Sequence, residues 1–296
     1  MIDRRTFLAA AAALPVACSR TLDEPQPNAA EPAGPDAFEA IRATLGPGAR
    51  IGVAVIDTGS GRRLLHDSDS RYPLASTFKL PLAAMVLAEV EAGRLRFDEE
   101  LPFAPEDPLG NSPVVAANIA RGRLALEPLT AAIVQVSDNS AANAILRRVG
   151  GPEGLTRFMR AAGDSVTRLD RHEMELGSNL PDDVRDTTTP AAMAGLVRTL
   201  VLGNRLAPAS RARLVEWMTT SVPGPDRLRA GLPPSWRWGH KTGTAANGGV
   251  NDVGVAWPPR RAPIVIASYQ SGGDTPSAGH AAAHAAVARL VVEAFA

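Results

Sequence analysis

Three short runs place a hydroxyl, an amine and an amide where they could act together. The first is Ser76-Thr77-Phe78-Lys79. Ser76 and Lys79 are three apart at the head of an apolar helical pattern, so they share one face of its first turn. A serine hydroxyl is a weak nucleophile until a base takes its proton. A lysine held close and partly desolvated can be that base, or one step of a proton relay. The free N–H groups of a helix N-terminus also point at developing negative charge. The second run is Ser137-Asp138-Asn139, whose hydroxyl could pass a proton to a leaving nitrogen while the Asn139 amide grips a carbonyl. The third is Lys241-Thr242-Gly243-Thr244, on a predicted strand. Lys241 and Thr242 offer a charge and a hydroxyl to an anionic group, and Gly243 lets that group approach the backbone. Taken singly, each run has a plainer reading: a capping serine beside a surface lysine, a helix cap before Ala141, and an edge strand guarded by lysine.

The surrounding pattern must bring these runs together. Asp36 reads as the N-cap of a helix through Phe38, Ile41 and Leu45. Ile51–Asp57 is β-rich, Thr58-Gly59-Ser60-Gly61 is a turn, and Arg63–His66 returns as a hairpin partner. From Thr77 to Val90 the residues Phe78, Leu80, Leu82, Met85, Val86, Leu87 and Val90 give a wide apolar helical face. Helical patterns follow over Leu129–Val136, Ala141–Val149, Pro152–Ala162, Pro190–Leu202 and Ala207–Thr220. Short strands return at Trp236–Lys241, Asn251–Trp257 and Ile264–Tyr269, and Ala278–Phe295 closes the chain as a helix. The economical fold is α/β (α+β): an antiparallel sheet flanked by helices, built from both termini, with an all-helical domain inserted. The expected division gives 36–68 and 220–296 to the α/β domain and 69–219 to the helical one. A site is expected between them, where sites commonly lie.

Composition narrows the function. Lys plus Arg and Asp plus Glu both count 31 in 296 residues, so the net charge is zero. That balance suits neither nucleic acid nor an anionic membrane surface, where clustered positive charge supplies affinity. Aromatic residues make up only 4%, which argues against base-stacking platforms. The single cysteine, Cys18, excludes an internal disulfide and a Cys-rich zinc site. Residues 1–18 read as an export signal: Arg4-Arg5-Thr6-Phe7-Leu8 leads into an apolar run through Val16 that is too short to span a membrane. The arginine pair fits a twin-arginine signal, and a general secretory signal is the other reading. Leu14-Pro15-Val16-Ala17-Cys18 hints at a lipoprotein box with Pro15 in place of the usual aliphatic residue, which leaves a lipid anchor at Cys18 and plain cleavage both open. Residues 19–35, with Pro25, Pro27, Pro32, Gly34 and Pro35, read as a flexible linker. The expected product is an exported monomer, periplasmic or secreted, with a small-molecule substrate and no cofactor.

The three runs in this order and spacing resemble the motif set of class A β-lactamases and penicillin-binding proteins. The resemblance covers the chain from about Asp36 to its C-terminus. A fourth segment resembles class A in particular. Arg171-His172-Glu173-Met174-Glu175-Leu176, followed by Arg185-Asp186-Thr187-Thr188-Thr189-Pro190, is similar to that family's omega loop (about 171–186) and the helix after it. The resemblance implies that Arg171 and Asp186 pair across the neck of the loop and that Glu173 is the general base for a deacylating water. It also implies that Ser76 attacks the lactam carbonyl, with Lys79 or a water on Glu173 taking the proton. Ser137 then relays a proton to the ring nitrogen, and the N–H groups of Ser76 and Thr244 form the oxyanion hole. Lys241, Thr242, Gly243 and Thr244 hold the substrate carboxylate, Asn139 holds the side-chain amide, and Arg227 is the candidate arginine that reaches in to help.

The chain also departs from that pattern. Gly177 stands where the family usually has an asparagine that helps hold the water, so slower or substrate-dependent deacylation is expected. Asn111 stands where an aromatic often flanks the cleft. Ala75 and Ala245 occupy the positions that a disulfide joins in some carbapenem-hydrolysing relatives, so penicillins and some cephalosporins are expected to be better substrates than carbapenems. His280 and His284 have a metal-ligand spacing, yet no third ligand is evident and a helix face is the better reading. Two other functions share the motifs. A D-alanyl-D-alanine peptidase needs no water-activating base, and a β-lactam sensor stays acylated.

Overall fold

The computed structural model describes residues 35–104, 106 and 110–295. The export signal, Cys18 and nearly all of the linker lie outside these residues. The elements in chain order are α1 (Pro35–Ala43), β1 (Arg50–Asp57), β2 (Arg63–His66), β3 (Tyr72–Pro73), α2 (Lys79–Glu91), β4 (Glu100–Pro102), α3 (Pro113–Ala117) and β5 (Arg123–Ala125). They continue as α4 (Leu126–Gln135), α5 (Asn139–Arg148), α6 (Gly151–Ala161), β6 (Thr187–Thr188), α7 (Pro190–Val197), α8 (Pro208–Thr219) and α9 (Leu228–Gly231). The last are β7 (Arg237–Thr244), β8 (Val250–Trp257), β9 (Ile264–Ser271) and α10 (Ser277–Phe295).

Five strands form one antiparallel sheet in the order β2-β1-β9-β8-β7. The sheet is thus closed by pairing β1, from the start of the fold, with β9, near its end, as in Val53 opposite Ser268. Strand β1 is buried along nearly its whole length because both faces are covered. Ala54 and Ile56 face the larger core with Phe78, Leu82 and Tyr269, while Val53 and Val55 face a second core with Phe38, Trp238, Val287 and Val291. This two-faced burial explains why the run Ile51–Asp57 reads as nearly continuous apolar sequence.

Most predicted elements fall within a few residues of their observed bounds. Asp36 lies inside α1 and does not precede it. The strand expected over Trp236–Lys241 begins at Arg237 and extends to Thr244, so all of the lysine–threonine–glycine run is paired with β8. Two ladders in the 69–219 segment carry too few residues to show a period: Tyr72 pairs with Thr188, and Leu101 with Leu124. The helix expected over Pro190–Leu202 is regular to Val197 and then widens through Arg198–Leu202. Its Thr189 cap accepts the N–H of Ala192 at 3.2 Å, with Pro190 in the first turn. No helix among the described residues is long and apolar enough to cross a membrane.

Candidate active site

Ser76 lies in a tight helical turn, Ala75–Phe78, that runs directly into α2. Helix α2 is apolar on every side and every residue from Lys79 to Leu87 is buried, so its start is fixed deep between sheet and helices. The Thr77 hydroxyl donates to the Leu74 carbonyl at 2.6 Å, and Asn251 donates to the Pro73 carbonyl at 2.8 Å, which pins the turn from both sides. Gly243 of β7 packs against this turn. A Cβ there would meet Leu74 O at 3.1 Å and Ser76 N at 3.2 Å. Any larger residue would press the strand away from the Ser76 amide by a few tenths of an ångström.

The polar centre is a triangle. Lys79 Nζ donates to Ser76 Oγ at 3.0 Å and lies 2.9 Å from Glu173 Oε1. The Ser76 hydroxyl donates to the same Glu173 oxygen at 3.4 Å. Lys79 also donates to the Ser137 carbonyl at 3.0 Å and to Asn139 Oδ1 at 2.5 Å. Full burial pushes the Lys79 amine below the usual lysine range, and the charge of Glu173 pulls it partly back. A desolvated amine so placed is a better proton acceptor than a free lysine.

Ser137 bridges two lysines. Its hydroxyl accepts from Lys241 Nζ at 3.0 Å and from Lys79 Nζ at 3.4 Å. Asp138 serves a different end: it caps α5 through the N–H of Ala141 at 2.8 Å and holds the N–H groups of Val114 and Val115 on α3. The cap reading of this run holds for Asp138, while on either side of it Ser137 faces the two lysines and Asn139 faces Lys79. Asn111 pins the same turn by donating to the carbonyls of Val136 at 2.9 Å and Ser137 at 3.0 Å. The second amide atom of Asn139, Nδ2, faces the exposed thioether of Met174 at 3.5 Å.

On the β7 side, burial pushes Lys241 well below its ordinary value, and the charges of Lys79 and Arg227 push the same way. Such a cluster of cations is relieved when an anion enters. Arg227 lies against it: Nη1 donates to the carbonyls of Gly243 at 2.9 Å and Asn251 at 2.8 Å, and Nη2 to Thr244 Oγ1 at 2.8 Å.

The loop from Arg171 to Asp186 carries Glu173. Asp186 is buried and accepts from the N–H groups of Asp170 at 2.7 Å and Arg171 at 3.0 Å. Its other oxygen accepts from Arg171 Nε at 2.5 Å, which closes the neck of the loop. The structure thus brings Ser76, Lys79, Ser137, Asn139, Glu173, Lys241 and Thr244 around one space, with Arg227 at its edge. Sequence reasoning missed Asn143, which donates to the Glu173 carbonyl at 2.9 Å and accepts the Glu173 N–H at 3.0 Å. Its position four residues after Asn139, on the same face of α5, was the available signal. His280 and His284 are buried against the sheet. His280 Nδ1 lies 2.7 Å from Gln270 Oε1, and His284 Nδ1 lies 2.9 Å from Ser268 Oγ.

A sequence profile described as the β-lactamase enzyme family matches residues 37–295. The chain is 41% identical to "Beta-lactamase AST-1" of Nocardia asteroides, over 99% of this chain and 96% of that one. It is 42% identical to "Carbapenem-hydrolyzing beta-lactamase KPC" of Klebsiella oxytoca, over 83% of this chain and 84% of that one. Among solved structures, the ancestral Gram-negative class A β-lactamase superposes with a TM-score of 0.85 at 47% identity, over 88% of this chain and 99% of that one.

Proposed function

The chain belongs to the class A branch of the β-lactamase enzyme family and hydrolyses β-lactams, and from that premise we propose how its residues divide the work. Ser76 is the nucleophile, and its Oγ attacks the lactam carbonyl carbon. The Ser76 proton passes to Lys79 and Glu173, which act as one coupled acceptor because both lie within hydrogen-bond reach of Oγ. The amide N–H groups of Ser76 and Thr244 receive the oxyanion. One such donor typically stabilises the transition state by about 2.7–4 kcal/mol. The ring C–N bond then breaks. Ser137, fed by Lys79 and Lys241, gives its proton to the departing nitrogen.

Hydrolysis of the acyl ester needs a base for water, and Glu173 acts again in that role. It takes a proton from a water that attacks the ester carbonyl, and Ser76 leaves with its proton restored. Lys241, Thr242, Thr244 and Arg227 hold the carboxylate of the substrate, Gly243 leaves room for it, and Asn139 holds its side-chain amide. Arg171 and Asp186 hold the loop. The domain division, with this centre between an α/β part and a helical part, belongs to the same reading.

The single observation that carries this reading is the meeting of Glu173 with Ser76 and Lys79. A peptidase of the penicillin-binding type or an acylated sensor needs no carboxylate there. Nitrocefin separates the hydrolase from the other two. Many turnovers per molecule, lost in Ser76→Ala, are expected. One equivalent of product followed by arrest would favour the sensor or the peptidase. Ala75 and Ala245 support penicillins and some cephalosporins as better substrates than carbapenems. Equal turnover of a carbapenem and benzylpenicillin would refute that preference. The arginine pair and apolar run of residues 1–18 support export to the periplasm or beyond, as a monomer that a lipid on Cys18 could anchor.

A further inference from the structure

Two buried ionisable residues behind Lys241 take no part in the reaction described above. His240 and Asp252 lie on β7 and β8, which pair along their length. Nδ1 of His240 is 2.7 Å from Oδ1 of Asp252, where an imidazole N–H donates to the carboxylate. The other oxygen, Oδ2, accepts the N–H of Leu228 at 3.2 Å. Both side chains are buried, Asp252 completely. A buried carboxylate holds a fixed position only while its partners satisfy it.

Leu228 is the residue after Arg227 and opens α9. Arg227 itself donates to the carbonyl of Asn251, the residue before Asp252, and to Gly243 and Thr244 on β7. The contacts therefore close a ring: His240 to Asp252, Asp252 to the Leu228 amide, and Arg227 back to Thr244, four residues along β7 from His240. The negative charge of Asp252 also opposes the loss of charge that burial would impose on the guanidinium.

We propose that His240 is a positioning residue for the substrate carboxylate. By fixing Asp252 it holds the turn that aims Arg227 at the Thr244 hydroxyl. This rests on the functional reading above, in which Arg227 and Thr244 meet that carboxylate. Glu173 sits on a separate loop and meets Ser76 and Lys79, none of them in this ring of contacts, so substrate capture depends on His240 and hydrolysis of the ester does not.

The test compares benzylpenicillin with its methyl ester, which lacks the anion, in the full-length protein. His240→Leu is expected to raise KM for benzylpenicillin about tenfold, with kcat within about threefold, because a misaimed Arg227 loses one charge-assisted hydrogen bond to the substrate carboxylate, worth about 1.5 kcal/mol. KM for the ester should not move. His240→Asn, whose Nδ2 is as many bonds from Cα as the imidazole Nδ1, should restore KM. In an Arg227→Ala background His240→Leu should add nothing, as expected of two residues acting through one contact. Should His240→Leu fail to fold, His240→Gln moves the donor one bond outward and carries the same comparison. If the wild type does not turn over benzylpenicillin, the functional reading falls and takes this proposal with it. If it does, an equal rise in KM for acid and ester, or full additivity with Arg227→Ala, overturns this proposal alone.

Discussion

Nζ of Lys79 lies 2.9 Å from Oε1 of Glu173, with the Ser76 hydroxyl in reach of both. Burial lowers the pKa of the amine and the Glu173 charge raises it again. Glu173→Gln removes the raising influence, so Lys79 should lose its proton at lower pH than in the wild type. The acidic limb of the acylation rate, followed by stopped flow with nitrocefin, should then move to lower pH. A limb that stays in place or moves to higher pH would show that the Glu173 charge does not hold the proton on Lys79.

The neck of the omega loop depends on one buried carboxylate. Asp186 satisfies two backbone N–H groups and the Arg171 guanidinium. Asp186→Ala leaves Arg171 with Ser178 at 3.1 Å and Asp183 at 3.7 Å, and leaves two backbone N–H groups without their acceptor, a loss of about 2–3 kcal/mol. Urea unfolding should show a loss of that order, and limited proteolysis should begin within residues 172–185. A loss under about 1 kcal/mol would mean that the loop is held elsewhere.

Gly177 has ordinary negative-φ backbone, and a Cβ built there meets nothing within 4 Å. A side chain can therefore begin there without backbone strain. Gly177→Asn should leave the melting temperature nearly unchanged and speed deacylation of at least one β-lactam class, read by single-turnover decay of the acyl-enzyme. Unchanged decay for penicillins, cephalosporins and carbapenems alike would remove any role for this position in holding the water.

His284 is fully buried between α10 and the sheet, and burial pushes its pKa down to about 3. The unfolded chain takes up a proton near pH 6.5, its ordinary value, and the folded chain does not. The stability held by neutral His284 is therefore full above about pH 6.5 and is lost as pH falls from there toward about 3, by roughly 1.4 kcal/mol per pH unit. Between about pH 7 and 4.5 the wild type should lose more melting temperature than His284→Gln, which has no such proton to bind. Equal losses would show that His284 does not control acid stability.

Much of this was legible in the sequence. Ser76, Lys79, Ser137 and Lys241 stand in short runs whose order carries the chemistry, and the long apolar faces of α2 and α10 fix their own period. Helix ends were less legible: α5 starts at Asn139, two residues ahead of the expected Ala141, because the Asp138 side chain caps it through the N–H of Ala141. The ladders of Tyr72 with Thr188 and Leu101 with Leu124 were invisible, since two or three residues show no alternation. Partnerships across strands were also hidden. His240 finds Asp252 only through the register of β7 on β8, and register is a property of the folded sheet.

The division of labour around Ser76 is tested most directly by intact mass spectrometry of Glu173→Gln after mixing with benzylpenicillin. The expected spectrum shows one penicilloyl group on Ser76 that persists for hours, while the wild type returns to its free mass within the mixing time. Wild-type turnover by Glu173→Gln, with no adduct at any time, would contradict the assignment of Glu173 as the base that frees the ester.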